Sequence, residues 1–239
     1  MSPKQSPPQP PAPASSLSQS QSPPSQNPSN TTTYFHTHPH PLYTPFLTDP
    51  SYTPSRILSL SNAPNPQENE KPHRDPFFTL LLRNPAVIST LFLSRPTPTP
   101  TAHLLLHIGP AVNGQEGIAH GGFLATVLDE VCGTLISATR LDEGRGIFTA
   151  SLAVGYRRAV FVPEVEDTSS QSREGGGSGK EEGGQDQDQE GKGTVIMATA
   201  RLGRVEGRKV FVEGEIRDAA GEVCTTVEAI FVKKRVAGL

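Results

Sequence analysis

Residues 117 to 133 read GIAHGGFLATVLDEVCG, and the spacing of their apolar side chains decides the architecture. Apolar residues recur every three to four positions, which predicts a helix from Gly121 to about Arg140. On a helical wheel Phe123, Val127, Ala138, Val131, Leu124, Leu135, Leu128 and Cys132 fill a continuous half of the circumference. Gly122, Thr126, Asp129, Gly133, Ser137 and Glu130 form a narrower stripe of polar and small residues. An apolar face that wide exceeds what a surface helix buries. It implies an α+β arrangement in which a curved antiparallel sheet wraps one long helix and only the Asp129 stripe meets something polar.

The flanking residues supply that sheet. Upstream, Ala102 to Ile108 is a strand candidate, followed by the loop GPAVNGQEGIA. Downstream, Phe148 to Val162, Thr194 to Glu206, Arg208 to Arg217 and Glu222 to Lys233 are rich in Val, Thr, Ile and Phe, as half-buried strands are. Val205-Glu206-Gly207-Arg208 is a tight connection, and Asp218-Ala219-Ala220-Gly221 reads as a type I turn closed by glycine. These strands are therefore expected to form consecutive antiparallel hairpins.

Proline and glycine divide the chain further out. Of the 24 prolines, 22 lie at or before Pro100, whereas all 22 glycines follow from Gly109 onward. Residues 1–72, rich in Pro, Ser and Gln, offer too little apolar surface to offset chain entropy and are expected to be a disordered tail. Residues 164–192 hold nine acids, three bases and seven glycines, the composition of a solvated, disordered insert. Its GGGSGK run superficially resembles a phosphate-binding loop. The match fails, because the first required glycine position holds Glu174 and Glu181 follows Lys180 where Ser or Thr is needed. One domain remains, 73–239, opening with two short amphipathic helices over 73–95 that meet at Arg83-Asn84-Pro85.

Several classes are disfavoured on composition. A net charge of -3 and the lack of any zinc-finger or related motif argue against nucleic acid as a partner. The stretch Phe77 to Leu93 is interrupted at Arg83-Asn84-Pro85 and is not expected to span a membrane. Cys132 and Cys224 form no disulfide framework and are expected to be small core residues in a reducing compartment. No apolar signal region opens the chain, and the first 48 residues carry Lys4 as their only base, so the cytoplasm is expected, with the mitochondrion left open. His36, His38 and His40 stand close together in the tail, but nothing nearby would fix a metal among them, and no metal or other cofactor is expected.

The residues that carry chemistry are His120-Gly121-Gly122, at the start of the helix, and Asp129 two and a half turns in. Two glycines at a helix N-terminus let a ligand approach free amides in a field that favours negative charge. A developing oxyanion fits that description. A carboxylate flanked by Val127, Leu128 and Val131 would serve as a general base or a nucleophile in a partly dry site. An ordinary helix end, with Asp129 facing water, reads from the same pattern.

GIAHGGFLATVLDEVCG resembles the signature of hotdog-fold acyl-CoA thioesterases, of the phenylacetate-pathway type and the related mammalian mitochondrial branch: His-Gly-Gly, six residues, then Asp. TASLAVGYRRAV resembles the family's second strand, and GEIRDAAGEVCTTVEAIFV its last hairpin. The resemblance covers about Ala102 to Val232 apart from the acidic insert. It implies a hotdog fold paired into a homodimer or homotetramer, with active sites at the subunit interface. It implies hydrolysis of an acyl-CoA or related thioester, in lipid metabolism, without metal or redox cofactor. The Gly121 amide would polarise the carbonyl and Asp129 of the partner subunit would activate water or attack, with Thr149 placing the water or carboxylate and His120 ordering the loop. Gly122, Asn113 and Arg158 would contact substrate, Arg158 at a nucleotide phosphate. Glu130 is a second carboxylate beside Asp129. Three departures from the family pattern stand out: Gly114 stands six before His120, where a polar residue is usual, Ala159 replaces a proline, and Ser151 and Ala153 replace the Asp and Asn often found in that strand. A non-catalytic hotdog module that binds acyl thioesters or acts as a dimeric scaffold is the alternative these departures suggest.

Overall fold

The computed structural model describes residues 34–54, 77–78, 81, 87–96, 98–162 and 193–235. Within them, the Val-, Thr- and Phe-rich runs form strands β1 (Thr53–Pro54), β2 (Val87–Arg95), β3 (Thr101–Ile108), β4 (Asn113–Gln115), β5 (Ile118–Ala119), β6 (Ile147–Tyr156), β7 (Thr194–Glu206), β8 (Lys209–Arg217) and β9 (Val223–Lys233). Seven of them pair in the order β1-β2-β3-β7-β8-β9-β6, every neighbour antiparallel, while β4 and β5 form a separate small hairpin. Gly207 and Gly221 close the two tight turns with positive φ, at +57° and +81°. Side chains rarely adopt that backbone.

The helix runs from Gly121 to Ala138 and lies across the sheet. Phe123, Leu124, Val127, Leu128, Val131, Cys132, Leu135 and Ile136 are buried against Leu104, Leu106, Ile196, Ala198, Val212 and Phe231, among others. Each fully buried aliphatic chain contributes about 1.5–3 kcal/mol, so this one helix face is a main source of stability. Gly214 lets the layers close: a β-carbon there would lie 2.9 Å from the Thr199 carbonyl oxygen and 3.0 Å from Val227 Cγ1. Ala138, placed on the apolar face by the wheel, is exposed at the last turn. This is the one described helix long and apolar enough to cross a bilayer, and its apolar face is instead the core of the fold.

Two sequence expectations are corrected. Residues 34–54 do not form part of a disordered tail. They pack on the sheet face opposite the helix, where Phe35, Tyr43 and Tyr52 are buried with Leu91, Leu93, Leu105 and Met197. Averaging composition over residues 1–72 hid a local cluster of five aromatic residues, Tyr34, Phe35, Tyr43, Phe46 and Tyr52, and the sheet offers an apolar surface to match. Pro45 opens the short helix Thr44–Thr48, at a position where its missing N–H costs nothing. The strap covers β3, which is consequently buried along its whole length. His103 of β3 bonds through Nδ1 to Thr199 Oγ1 at 2.9 Å, 4.1 Å from the Phe46 ring centroid. Burial first, then the positive charges of Arg201 and Arg95, holds His103 down at about 3, so it stays neutral.

The second correction concerns residues 73–95. Phe77, Phe78 and Leu81 are helical, but Val87–Arg95 is a strand rather than a second short helix. A continuous apolar run buried on both faces has no period that separates helix from strand. Here Val87 and Phe92 join the core on the helix side of the sheet, and Leu91 and Leu93 pack with the strap. The remainder of the tail, the acidic insert with its GGGSGK run, and Arg83-Asn84-Pro85 lie outside the described residues.

Candidate active site

His120 is the N-cap of the central helix, and its Nδ1 accepts the Gly122 amide at 2.9 Å. A backbone N–H only donates, so the neutral imidazole carries its proton on Nε2. The ring is held by glycines on both sides: a β-carbon at Gly114 would lie 2.6 Å from His120 Cδ2, and one at Gly122 would lie 2.9 Å from Nδ1. The polar residue usual at position 114 is thus sterically barred in this loop. The His120 amide donates to the Val112 carbonyl at 2.9 Å, whereas the Gly121 amide has no partner among the described residues. A free amide at the positive end of a helix is suited to a developing oxyanion.

The strand β6 supplies both side chains that brace the helix. Tyr156 donates its hydroxyl to the Gly121 carbonyl at 2.8 Å, and Thr149 donates its own to Asp129 Oδ1 at 2.8 Å. Seven residues separate Thr149 from Tyr156, which in a regular strand puts them on opposite faces. A bulge between Thr149 and Ser151 absorbs one residue, so Thr149 pairs with Phe231 and Tyr156 with Thr225. That one-residue shift turns both toward the helix.

The candidate residues nevertheless fall into two clefts. The first, of about 580 Å³, is lined by Gly114, Gln115, His120, Gly121, Tyr156, Arg157 and Arg158, among others. The second, of about 250 Å³, is lined by Phe77, Phe78, Asp129, Glu130, Thr149 and Leu152 together with Ala125 and Thr126. They share no residue. Gly121 and Asp129 lie eight positions apart on one helix, a rise of about 12 Å. One chain therefore does not bring the free amide and the carboxylate to a single reacting atom.

Other expected residues are placed as follows. Gly122 is committed to His120. Arg158 lines the first cleft, but its guanidinium is paired with Glu222 at 2.9 Å. Arg157 lines the same cleft and makes no side-chain hydrogen bond or ion pair with a described residue. Asn113 does not line it; its Oδ1 is buried without a partner. Gln115, two positions on, does line it, a role that position in a loop of uncertain length did not reveal. Phe77 and Phe78 beside Asp129 were also missed, since they lie about 50 positions before it in the sequence and outside every motif. Both cysteines are buried: burial and then the Asp129 charge push the Cys132 thiol up, and burial pushes Cys224 up to about 11, aided by Asp218. Neither offers a thiolate near neutral pH. His38 and His40 stack on Tyr34 and Tyr43, respectively.

Part of the chain is similar to known proteins. The family described as "Thioesterase superfamily" matches residues 116–176, which include the His120 loop, the central helix and β6. Acyl-coenzyme A thioesterase THEM4 of Xenopus laevis is 25% identical over 130 residues, 54% of this chain and 43% of that protein. The chain thus matches less than half the length of that curated relative. Among solved structures, the Bacillus halodurans protein BH2602, solved with CoA, is 22% identical, covering 54% of this chain and 65% of its own, with a TM-score of 0.38. The E. coli PaaI protein from the phenylacetic acid degradation operon is 11% identical, covering 56% and 73%, with a TM-score of 0.40. The wrapped helix and the antiparallel order of the sheet are the arrangement of a hotdog fold, and it is within that arrangement that the thioesterase superfamily matches residues 116–176.

Proposed function

We propose that this protein hydrolyses an acyl-CoA or related thioester, in active sites completed by a second copy of the chain. The observation that carries the proposal is the placement, on one helix, of a free Gly121 amide and a Thr149-braced Asp129 too far apart to serve one carbonyl within one chain. A twofold pairing with the two helices antiparallel brings the Asp129 of one copy beside the Gly121 of the other. Strand β6 ends the sheet and so offers an unpaired edge for that association.

In this reading the thioester carbonyl oxygen accepts the Gly121 amide. Asp129 takes a proton from water as the water oxygen bonds to the carbonyl carbon, and the tetrahedral oxyanion gathers charge at that amide. Collapse breaks the carbon–sulfur bond, and the departing thiolate takes up the proton. Thr149 orients the carboxylate by donating to Oδ1. His120 holds the first turn through Gly122. Direct attack by Asp129 would pass through a mixed anhydride, and where labelled water opens it at the Asp129 carbonyl carbon, ¹⁸O would enter that carboxylate in a single turnover. General-base action leaves that carboxylate unlabelled.

Steady-state hydrolysis of a panel of short, medium, long and aromatic acyl-CoAs tests the proposal. At least one substrate is turned over by the wild type, and Asp129→Asn lowers kcat by roughly 100-fold or more. Equal, background-level rates for both proteins on every thioester would refute it. Tight acyl-CoA binding by calorimetry without turnover would instead support a binding module.

A further inference from the structure

From the His120 amide to the Gly122 carbonyl, every backbone group but the Gly121 N–H is held by a described residue. The His120 amide donates to the Val112 carbonyl at 2.9 Å, and the His120 carbonyl accepts the Leu124 amide at 3.2 Å. The peptide unit between Gly121 and Gly122 is gripped at both ends by side chains. Its carbonyl accepts the Tyr156 hydroxyl at 2.8 Å, and its N–H donates to His120 Nδ1 at 2.9 Å. The Thr126 hydroxyl donates to the next carbonyl, that of Gly122, at 2.9 Å. Glycine both makes room for these grips and makes them necessary. A β-carbon at Gly121 would lie 3.3 Å from Tyr156 Cε1, Cζ and Oη, and one at Gly122 would lie 2.9 Å from His120 Nδ1 and Cε1. Two successive glycines leave a backbone free to turn, and an amide that must be reoriented during reaction loses its advantage as an oxyanion donor. Tyr156 reaches the unit from β6, where its own backbone is fixed. It pairs with Thr225, and the Arg157 and Arg158 amides that follow it donate to the Cys224 carbonyl at 2.8 and 3.1 Å.

We propose that Tyr156 is a positioning residue for thioester hydrolysis: with His120 it clamps the Gly121–Gly122 peptide unit and so fixes the direction of the adjoining Gly121 N–H. The inference rests on the thioesterase reading above and deepens it. The clamped unit and the unit that carries the free N–H share the Gly121 α-carbon, so looseness in one passes to the other. The two grips also support each other, because a hydroxyl donated to a peptide carbonyl polarises the unit and strengthens its N–H as a donor. Loss of the Tyr156 hydroxyl therefore weakens the His120 bond as well as its own. The hydroxyl is spent on the helix rather than on the substrate. Its removal leaves the ring in the cleft wall, so the cost falls on the chemical step and not on binding.

The test is Tyr156→Phe, measured on the acyl-CoA that the wild type turns over fastest. The variant keeps the ring, and kcat falls about 5-fold or more while KM stays within about twofold of wild type. In a His120→Ala background, where the peptide unit is already released at its other end, the same substitution lowers kcat by less. Infrared difference spectroscopy then follows the same substrate, labelled with ¹³C at the thioester carbonyl, bound to Asp129→Asn, which turns it over slowly. The carbonyl band moves to lower frequency on binding, and adding Tyr156→Phe brings it back toward its position in the free thioester. An unchanged kcat, a rise in KM alone, an equal loss in the His120→Ala background or a carbonyl band indifferent to Tyr156→Phe would each overturn the inference while leaving hydrolysis intact. A wild type that hydrolyses no acyl-CoA in the wider panel would remove the thioesterase reading, and the inference with it.

Discussion

The first turn and the middle of the central helix stand in contrast. At its N-terminus glycines crowd around His120, a backbone amide is left free, and the nearby charges are arginines. Two turns on, the same helix offers carboxylates, a threonine that braces one of them, and an aromatic wall. In the proposed mechanism the first binds and polarises and the second attacks. Neither is complete alone, and the fixed rise of a helix keeps them apart within a chain. The difference teaches what the proposed pairing would supply: two antiparallel helices would form two complete sites where each chain by itself has two halves.

Changes at the attacking half should be the larger. After Asp129→Asn, the next effect is expected from Thr149→Ala, which removes a 2.8 Å hydrogen bond to the carboxylate. Hydrogen bonds to charged groups contribute roughly 1.5–3 kcal/mol, so kcat should fall by about 10-fold or more, with little change in KM. Thr149→Ser should restore most of it. If Thr149→Ala raised KM alone, the braced carboxylate would belong to binding and the contrast between the clefts would break down.

The binding half should respond in KM. Arg157 is free where Arg158 is tied to Glu222, so Arg157→Ala should raise KM for a CoA thioester by about threefold to fivefold, and Arg158→Ala by less. The effect should fade with added salt and vanish with a pantetheine thioester, which lacks the nucleotide. A larger effect from Arg158 would show that Glu222 releases it when substrate arrives.

The legible and illegible parts of this molecule follow from where a residue's partners lie in sequence. The central helix declared itself through a wide apolar face, and the β7 to β9 hairpins through turns whose glycines take positive φ. Those signals are local. The strap of residues 34–54 has no period of its own; its aromatic residues are ordered by Leu91, Leu93, Leu105 and Met197, about 40 to 160 positions away. Strand β2 was mistaken for helix for a related reason, since burial on both faces erases alternation. At the site, His120, Gly121 and Asp129 were readable from spacing, yet the bulge that turns Thr149 toward Asp129 and the Glu222 carboxylate that occupies Arg158 depend on pairing between strands. Phe77 came to the second cleft from outside every motif.

The division of labour is tested most directly by mixing two defective chains. Asp129→Asn lacks the attacking carboxylate. Gly121→Val covers the free amide and presses on the Tyr156 ring, which already lies 3.3 Å from where a β-carbon would sit. Each variant alone, shown by circular dichroism to be folded, should be nearly inactive on the preferred acyl-CoA. Co-refolded in equal amounts, they should recover about a quarter of wild-type activity, because half the dimers are mixed and one of the two sites in each mixed dimer is intact. A mixture no more active than its components would contradict a site shared between two copies.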